Sequence, residues 1–257
     1  MARHPRFPLT GFPLHIVQRG NNRRACFITD ADRQTYLAAL REAALRYGMQ
    51  VHAYVLMSNH VHLLATPLVV NAVSRAMQSV GARYVRHFNQ AHTRTGTLWE
   101  GRYKACLVDE DRYVLAVFRY IDFNPVRAKI AACPAAYRWS SYSGLAGLCV
   151  DDLLTPHAAL DSLGVVPGPA YARWCRQPLD DDQATNVRDA TKSELVYGSE
   201  AFRSRIASLT ARPTRRRSPG PSPRDRWSYR SAWASDSSLA PAEESSMVGR
   251  PEEELPL

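Results

Sequence analysis

Val51-His-Ala-Tyr-Val-Leu-Met57, then Ser58-Asn59, then His60-Val-His-Leu-Leu-Ala-Thr66 read as strand, tight turn and strand. Side chains alternate along a strand, so His60 and His62 share one face while Val61, Leu63 and Ala65 take the other. Upstream, Leu14-His-Ile-Val-Gln-Arg19 suits a strand, followed by a polar loop, Gly20-Asn-Asn-Arg-Arg24. A helical pattern then runs from Asp30, read as its N-cap, through Tyr47, with apolar residues at Tyr36, Leu37, Leu40, Ala44 and Leu45. Gly48 follows where a helix C-terminus favours glycine. Downstream, a second long helix is expected over residues 72–91 and a short strand over 103–108. A third helix should reach about Phe123, with Asp109, Glu110 and Asp111 at its start. The order is β-α-β-β-α-β followed by a helix. That is an α+β, ferredoxin-like plan: an antiparallel sheet with helices on one face and the other face free for a ligand.

The texture of the 257-residue chain changes twice. Residues 1–147 are periodic throughout and form the expected main domain. Residues 148–210 carry shorter helical patterns broken by Gly and Pro, a small helical appendage. Residues 211–257 are rich in Arg, Ser, Pro and Glu, too poor in apolar groups to offset ordering entropy, so a disordered tail is expected. The formal net charge of +9 is unevenly spread. Residues 1–130 hold 18 Lys and Arg against 8 Asp and Glu, and the remaining 15 against 16, so the basic character lies in the first half. Such a half attracts a polyanion. Five scattered cysteines with no CxxC pair argue against a disulfide framework and a zinc knuckle. No apolar run is long enough to cross a bilayer, and the first residues lack a secretory h-region. No membrane association is expected; the cytoplasm, at the nucleoid, is the expected location.

Two features carry chemistry. His60 and His62, two residues apart on one strand face, are spaced to converge on one metal ion, although paired histidines also occur by chance on solvent-facing strands. Tyr120 and Asn124 are four apart, hence on one helix face, and Pro125 forces Asn124 to a helix end or kink. The ordinary alternative is a Tyr that packs on the sheet and an Asn that caps the next turn. Together they supply what a nucleic-acid strand cleaver needs: a nucleophile, an ion to polarise the phosphate, and fixed geometry between them. Two imidazole nitrogens and one amide oxygen suit Mn²⁺ or Mg²⁺, with Zn²⁺ chemically allowed. A phenol is a weak nucleophile near neutrality and needs help from the ion or a neighbouring base.

The motifs His15-Ile-Val-Gln-Arg-Gly-Asn-Asn22, His52-Ala-Tyr-Val-Leu-Met-Ser-Asn-His-Val-His-Leu-Leu64, Gly101-Arg-Tyr-Lys-Ala105, Tyr120-Ile-Asp-Phe-Asn-Pro-Val-Arg-Ala128 and Trp139-Ser-Ser-Tyr142 occur in this order. In them the chain resembles the HUH single-tyrosine transposases, and among these the REP-associated tyrosine transposase-like branch. The resemblance implies that His60 and His62 are metal ligands, Asn124 the third ligand, and Tyr120 the nucleophile. It implies cleavage and rejoining of single-stranded, hairpin-flanked DNA through a 5′-phosphotyrosine, leaving a 3′-hydroxyl, without a nucleotide cofactor. Relatives differ in oligomeric state, so a homodimer stays open.

Arg19, Asn21, Asn22, Arg23 and Arg24 form a polar loop suited to holding DNA backbone or a guide base, and Arg102 and Lys104 suit phosphate contacts. Each is equally compatible with a solvated surface. Tyr113, seven residues before Tyr120, lies about 10 Å away along the helix axis and is the weaker nucleophile. Two other functions compete. A non-catalytic nucleic-acid-binding module would present aromatics on the open sheet face. A metal-dependent nuclease would use water and form no covalent adduct.

Overall fold

In the hairpin at the centre of the motif, β2 (Met49–Leu56) turns into β3 (His60–Pro67), closed by a hydrogen bond from Met57 N to His60 O. β1 (Leu14–Arg19) lies between β3 and β4 (Lys104–Val108), antiparallel to both. The sheet order β2-β3-β1-β4 is the ferredoxin-like one, and the α+β plan read from the sequence holds. A two-residue strand, β5 (Val196–Tyr197), adds to β4 in parallel, so the five-stranded sheet is mixed. The computed structural model describes residues 6–215 apart from 110, 111, 163, 166 and 211. Residues 216–257, most of the tail expected to be disordered, lie outside the described residues, as do Glu110 and Asp111, the expected acidic start of the third helix.

The helices are α1 (Asp30–Tyr47), α2 (Ala72–Ala91), α3 (Arg112–Asp122), α4 (Asn124–Arg127), α5 (Tyr142–Leu145), α6 (Ala158–Asp161), α7 (Pro169–Trp174), α8 (Asp181–Lys192) and α9 (Glu200–Thr210). Thr29, one residue before the expected cap, starts α1. Its hydroxyl accepts from Asp32 N while the Asp32 carboxylate accepts from Thr29 N, a reciprocal box that a lone Asp30 cannot make. Gly48 ends the helix in the left-handed region at φ 69°, where a Cβ would be strained.

α1 and α2 cover one sheet face, packing on Leu14, Ile16, Val61, Leu63, Ala65 and Leu107. Behind them Phe27, Tyr36 and Tyr84 meet at ring-centroid separations of 5.2–5.4 Å, two of the pairs edge-on. Such edge-on pairs add about 0.5–1.5 kcal/mol each beyond their burial. A bulge between Val51 and Ala53 shifts β2, so that Val51, Tyr54 and Leu56 face α1 and α2 while Ala53 and Val55 face away.

The second face, expected from the sequence to be free for a ligand, is covered. Ala53, Val55, Leu64, Cys106 and Val108 are buried there beneath Val114, Val117, Phe118 and Ile121 of α3 and Val187 of α8. The cause is visible in β2, which is apolar on both faces, and β2 and β3 are buried along nearly their whole length; such strands need cover on both sides. Residues 148–210 supply much of that cover and the fifth strand as well. Cover ends at the His60 end of β3, where a cleft opens. Among the described residues, no helix is long and apolar enough to cross a membrane.

Candidate active site

β1 and β3 are paired so that Arg19 stands opposite His60 and Val17 opposite His62. Alternation then brings His60, His62, Val17 and Arg19 to the same open end of the second face. The two imidazoles lie 4.9 Å apart between ring centroids, inclined at 78°. α3 crosses above them and delivers Tyr120, whose ring centroid is 5.5 Å from that of His62 and 5.5 Å from that of His15. The helix breaks at Phe123 because Pro125 lacks an N–H and disfavours helical geometry before it, and α4 starts at Asn124. That break puts the Asn124 amide 3.3 Å from His62 Nε2. These residues line a cleft of about 550 Å³.

All three imidazoles are neutral near pH 7. Burial lowers His60 to about 4, with Arg19 adding to the effect, and a hydrogen bond to the Asn124 amide opposes it. Burial lowers His15 to about 3 and puts His62 well below its ordinary value, His60, His15 and Arg19 pushing the same way. Neutral imidazoles keep a lone pair for a metal. Asn59 Nδ2 donates to Arg23 O, so its Oδ1 accepts from His60 Nδ1 at 2.6 Å, leaving Nε2 of His60 to face the Asn124 amide. His62 Nδ1 is likewise taken, by His15 Nε2 at 2.9 Å. Both Nε2 nitrogens therefore belong to the cleft side, each with the Asn124 amide beside it. The described residues hold no cluster of three or more His, Cys, Asp or Glu fit for a metal. The donor set here is two imidazoles and an amide, which fits a divalent ion that keeps open positions for phosphate oxygens and water.

The walls are basic. Arg19, Arg23, Arg102 and Lys104 line the cleft, joined by Arg127, Arg188 and Lys192, with Glu100 the one acidic side chain in the lining. Asn21, Asn22 and Arg24 are exposed on the short 3-10 turn outside it. Tyr113 packs edge-on against Tyr197 at 5.1 Å, and the Tyr103 hydroxyl lies 3.2 Å from Ser74 Oγ, so neither approaches the histidines. Sequence reasoning had assigned no role to His15, Arg127, Arg188, Thr191 or Lys192. Arg127 lies in a quoted motif, and its guanidinium sits 5.3 Å from the Tyr120 ring centroid. Arg188 and Lys192, four apart on α8, form one bank of the cleft, a pairing readable from spacing only once α8 is known to lie there.

Residues 9–124 match the family described as "Transposase IS200 like". Two solved structures are similar. One is a REP-associated tyrosine transposase bound to a REP hairpin, with 16% identity and TM-score 0.48 over 62% of this chain and 93% of that one. The other is a protein of Deinococcus radiodurans R1 described as a transposase, with 20% identity and TM-score 0.33 over 50% of this chain and 92% of that one. No curated protein matches.

Proposed function

Because residues 9–124 belong to the IS200-like transposase family, we propose that the chain cleaves and rejoins single-stranded DNA through a covalent bond to Tyr120. The observation that carries this reading is the Tyr120 ring facing His62 across the cleft at 5.5 Å, with Asn124 on the next helical turn. A phenol, two neutral imidazoles and an amide in one basic cleft have a joint use in phosphoryl transfer. The single-stranded substrate beside a hairpin is what the resemblance implies.

The steps follow from the side chains. Arg19, Arg102 and Lys104 hold backbone phosphates on either side of the scissile one. Arg127 places positive charge beside Tyr120, where the attacking oxygen and the phosphate become more negative. His60, His62 and Asn124 would hold Mn²⁺ or Mg²⁺, which supplies Lewis-acid polarisation of the scissile phosphate. The Tyr120 oxygen bonds to phosphorus, the P–O3′ bond breaks, and the phenol proton ends on the departing 3′-hydroxyl. The phosphodiester energy is kept in the tyrosyl ester, so a second 3′-hydroxyl can reverse the step and no nucleotide is hydrolysed.

The test is covalent trapping with 5′- and 3′-labelled hairpin oligonucleotides from the gene's own flanks, in Mn²⁺, Mg²⁺ or EDTA. The expected result is a denaturation-resistant adduct on the 3′ side of the cut, lost in EDTA and in Tyr120→Phe. Cleavage that survives Tyr120→Phe without an adduct makes the chain a nuclease using water. Binding with neither product leaves a binding module.

A further inference from the structure

The chain of buried contacts behind His62 has a direction. Thr191 of α8 has one hydroxyl proton, and it is given to Val187 O at 2.8 Å, a carbonyl that can only accept. The same oxygen lies 2.7 Å from His15 Nδ1 and must therefore accept from it. Cys106 Sγ, 3.2 Å from that oxygen, must donate for the same reason. His15 is fully buried, and the groups facing it (Thr191, His62, Cys106 and Tyr120) include no carboxylate, so a cationic ring there would be an uncompensated buried charge. With its one proton on Nδ1, His15 accepts at Nε2, and the donor 2.9 Å away is His62 Nδ1–H.

We propose that Thr191 and His15 are positioning residues that lock His62 in its Nδ1–H tautomer, keeping its Nε2 lone pair on the Asn124 side of the cleft. Its bearing on metal binding rests on the metal reading above. The opposite tautomer would aim an N–H at Asn124 and leave no lone pair for an ion. Outer partners of this kind fix ring orientation and tautomer of metal-binding histidines. The unusual feature is the source of the lock. Thr191 is 176 residues from His15 and lies outside the residues 9–124 that match the family, so α8 is part of the site's construction.

The full chain, labelled with ¹⁵N-histidine and freed of metal with chelator, reports the tautomer directly in long-range ¹H–¹⁵N spectra. His62 is expected as Nδ1–H in the native protein. Thr191→Val keeps the shape and removes the acceptor, so His15 is expected to move its proton to Nε2 and His62 to become Nε2–H. Thr191→Ser should restore the native spectrum. Titration with Mn²⁺ alone, read by its EPR signal, should show binding about 10–100-fold weaker in Thr191→Val and near native in Thr191→Ser. An Nε2–H signal for His62 in the native protein overturns the lock without any variant. So does an unchanged Nδ1–H signal in a folded Thr191→Val protein. If the native protein binds no Mn²⁺ while the tautomers behave as described, the metal reading fails and the lock stands.

Discussion

Arg188 and Lys192 give the cleft a bank that the family-matching region does not supply, and their replacement by glutamine has a calculable effect. Seven cationic side chains line the cleft: Arg19, Arg23, Arg102, Lys104, Arg127, Arg188 and Lys192. Each one that neutralises a phosphate of a single strand contributes about −0.7 to the slope of log K against log salt. With all seven engaged the slope is about −5, and binding weakens roughly 900-fold between 50 and 200 mM salt. Arg188→Gln with Lys192→Gln leaves five contacts, a slope of about −3.5 and a loss of roughly 130-fold over the same range. The assay is fluorescence anisotropy with a labelled single strand, in EDTA and in a Tyr120→Phe background so that no cleavage intrudes. Both residues are exposed on α8, so the fold should tolerate the change. A double variant with the native slope would refute the placement of α8 along the DNA path. A slope reduced equally by Arg83→Gln with Arg94→Gln, on α2 and the segment after it, would refute the cleft as the binding surface.

Three further outcomes concern stability. Burial raises Asp122 to about 7, with hydrogen bonds from Tyr171 and Cys175 opposing the shift. The folded state thus keeps a proton that the unfolded chain loses near 3.8, and stability present below that pH drains away up to about 7. Relative to the native protein, Asp122→Asn should gain up to about 4 kcal/mol between pH 4 and 7 in urea titrations and nothing more above; a pH-independent difference would contradict the assignment. Asp32 accepts from Ile28 N, Thr29 N and the His92 ring, so Asp32→Ala should cost about 2–4 kcal/mol in urea unfolding, and under 1 would mean water replaces the box. A Cβ at Gly20 would overlap the Arg24 carbonyl oxygen, so Gly20→Ala should displace the loop that carries Arg23 and cost about 1–3 kcal/mol, read as a lowered urea midpoint.

Strand and helix positions were largely legible because their signals are local. Leu14–Arg19 and Ala72–Ala91 appear as read, and the helix from Asp30 ends at Gly48 as its left-handed conformation requires. The misplaced N-cap shows the limit: Thr29 and Asp30 are both good caps, and only the hydrogen bond back from Asp32 separates them. The covered second face was signalled by Val51-His-Ala-Tyr-Val-Leu-Met57, where apolar residues do not alternate, but strands do not reveal what covers them.

The sequence by itself determined that His60 and His62 share a face and that Tyr120 and Asn124 share another, since repeats of two and of 3.6 residues follow from backbone geometry alone. Only the tertiary structure brought those faces together, because α3 reaches them by crossing the sheet. The same holds for the groups behind the site. His15 and Thr191 meet 2.7 Å apart across 176 residues of chain, and Arg188 and Lys192 reach the cleft on the same helix. Such contacts follow from how whole elements bury their apolar faces, and no local repeat encodes them.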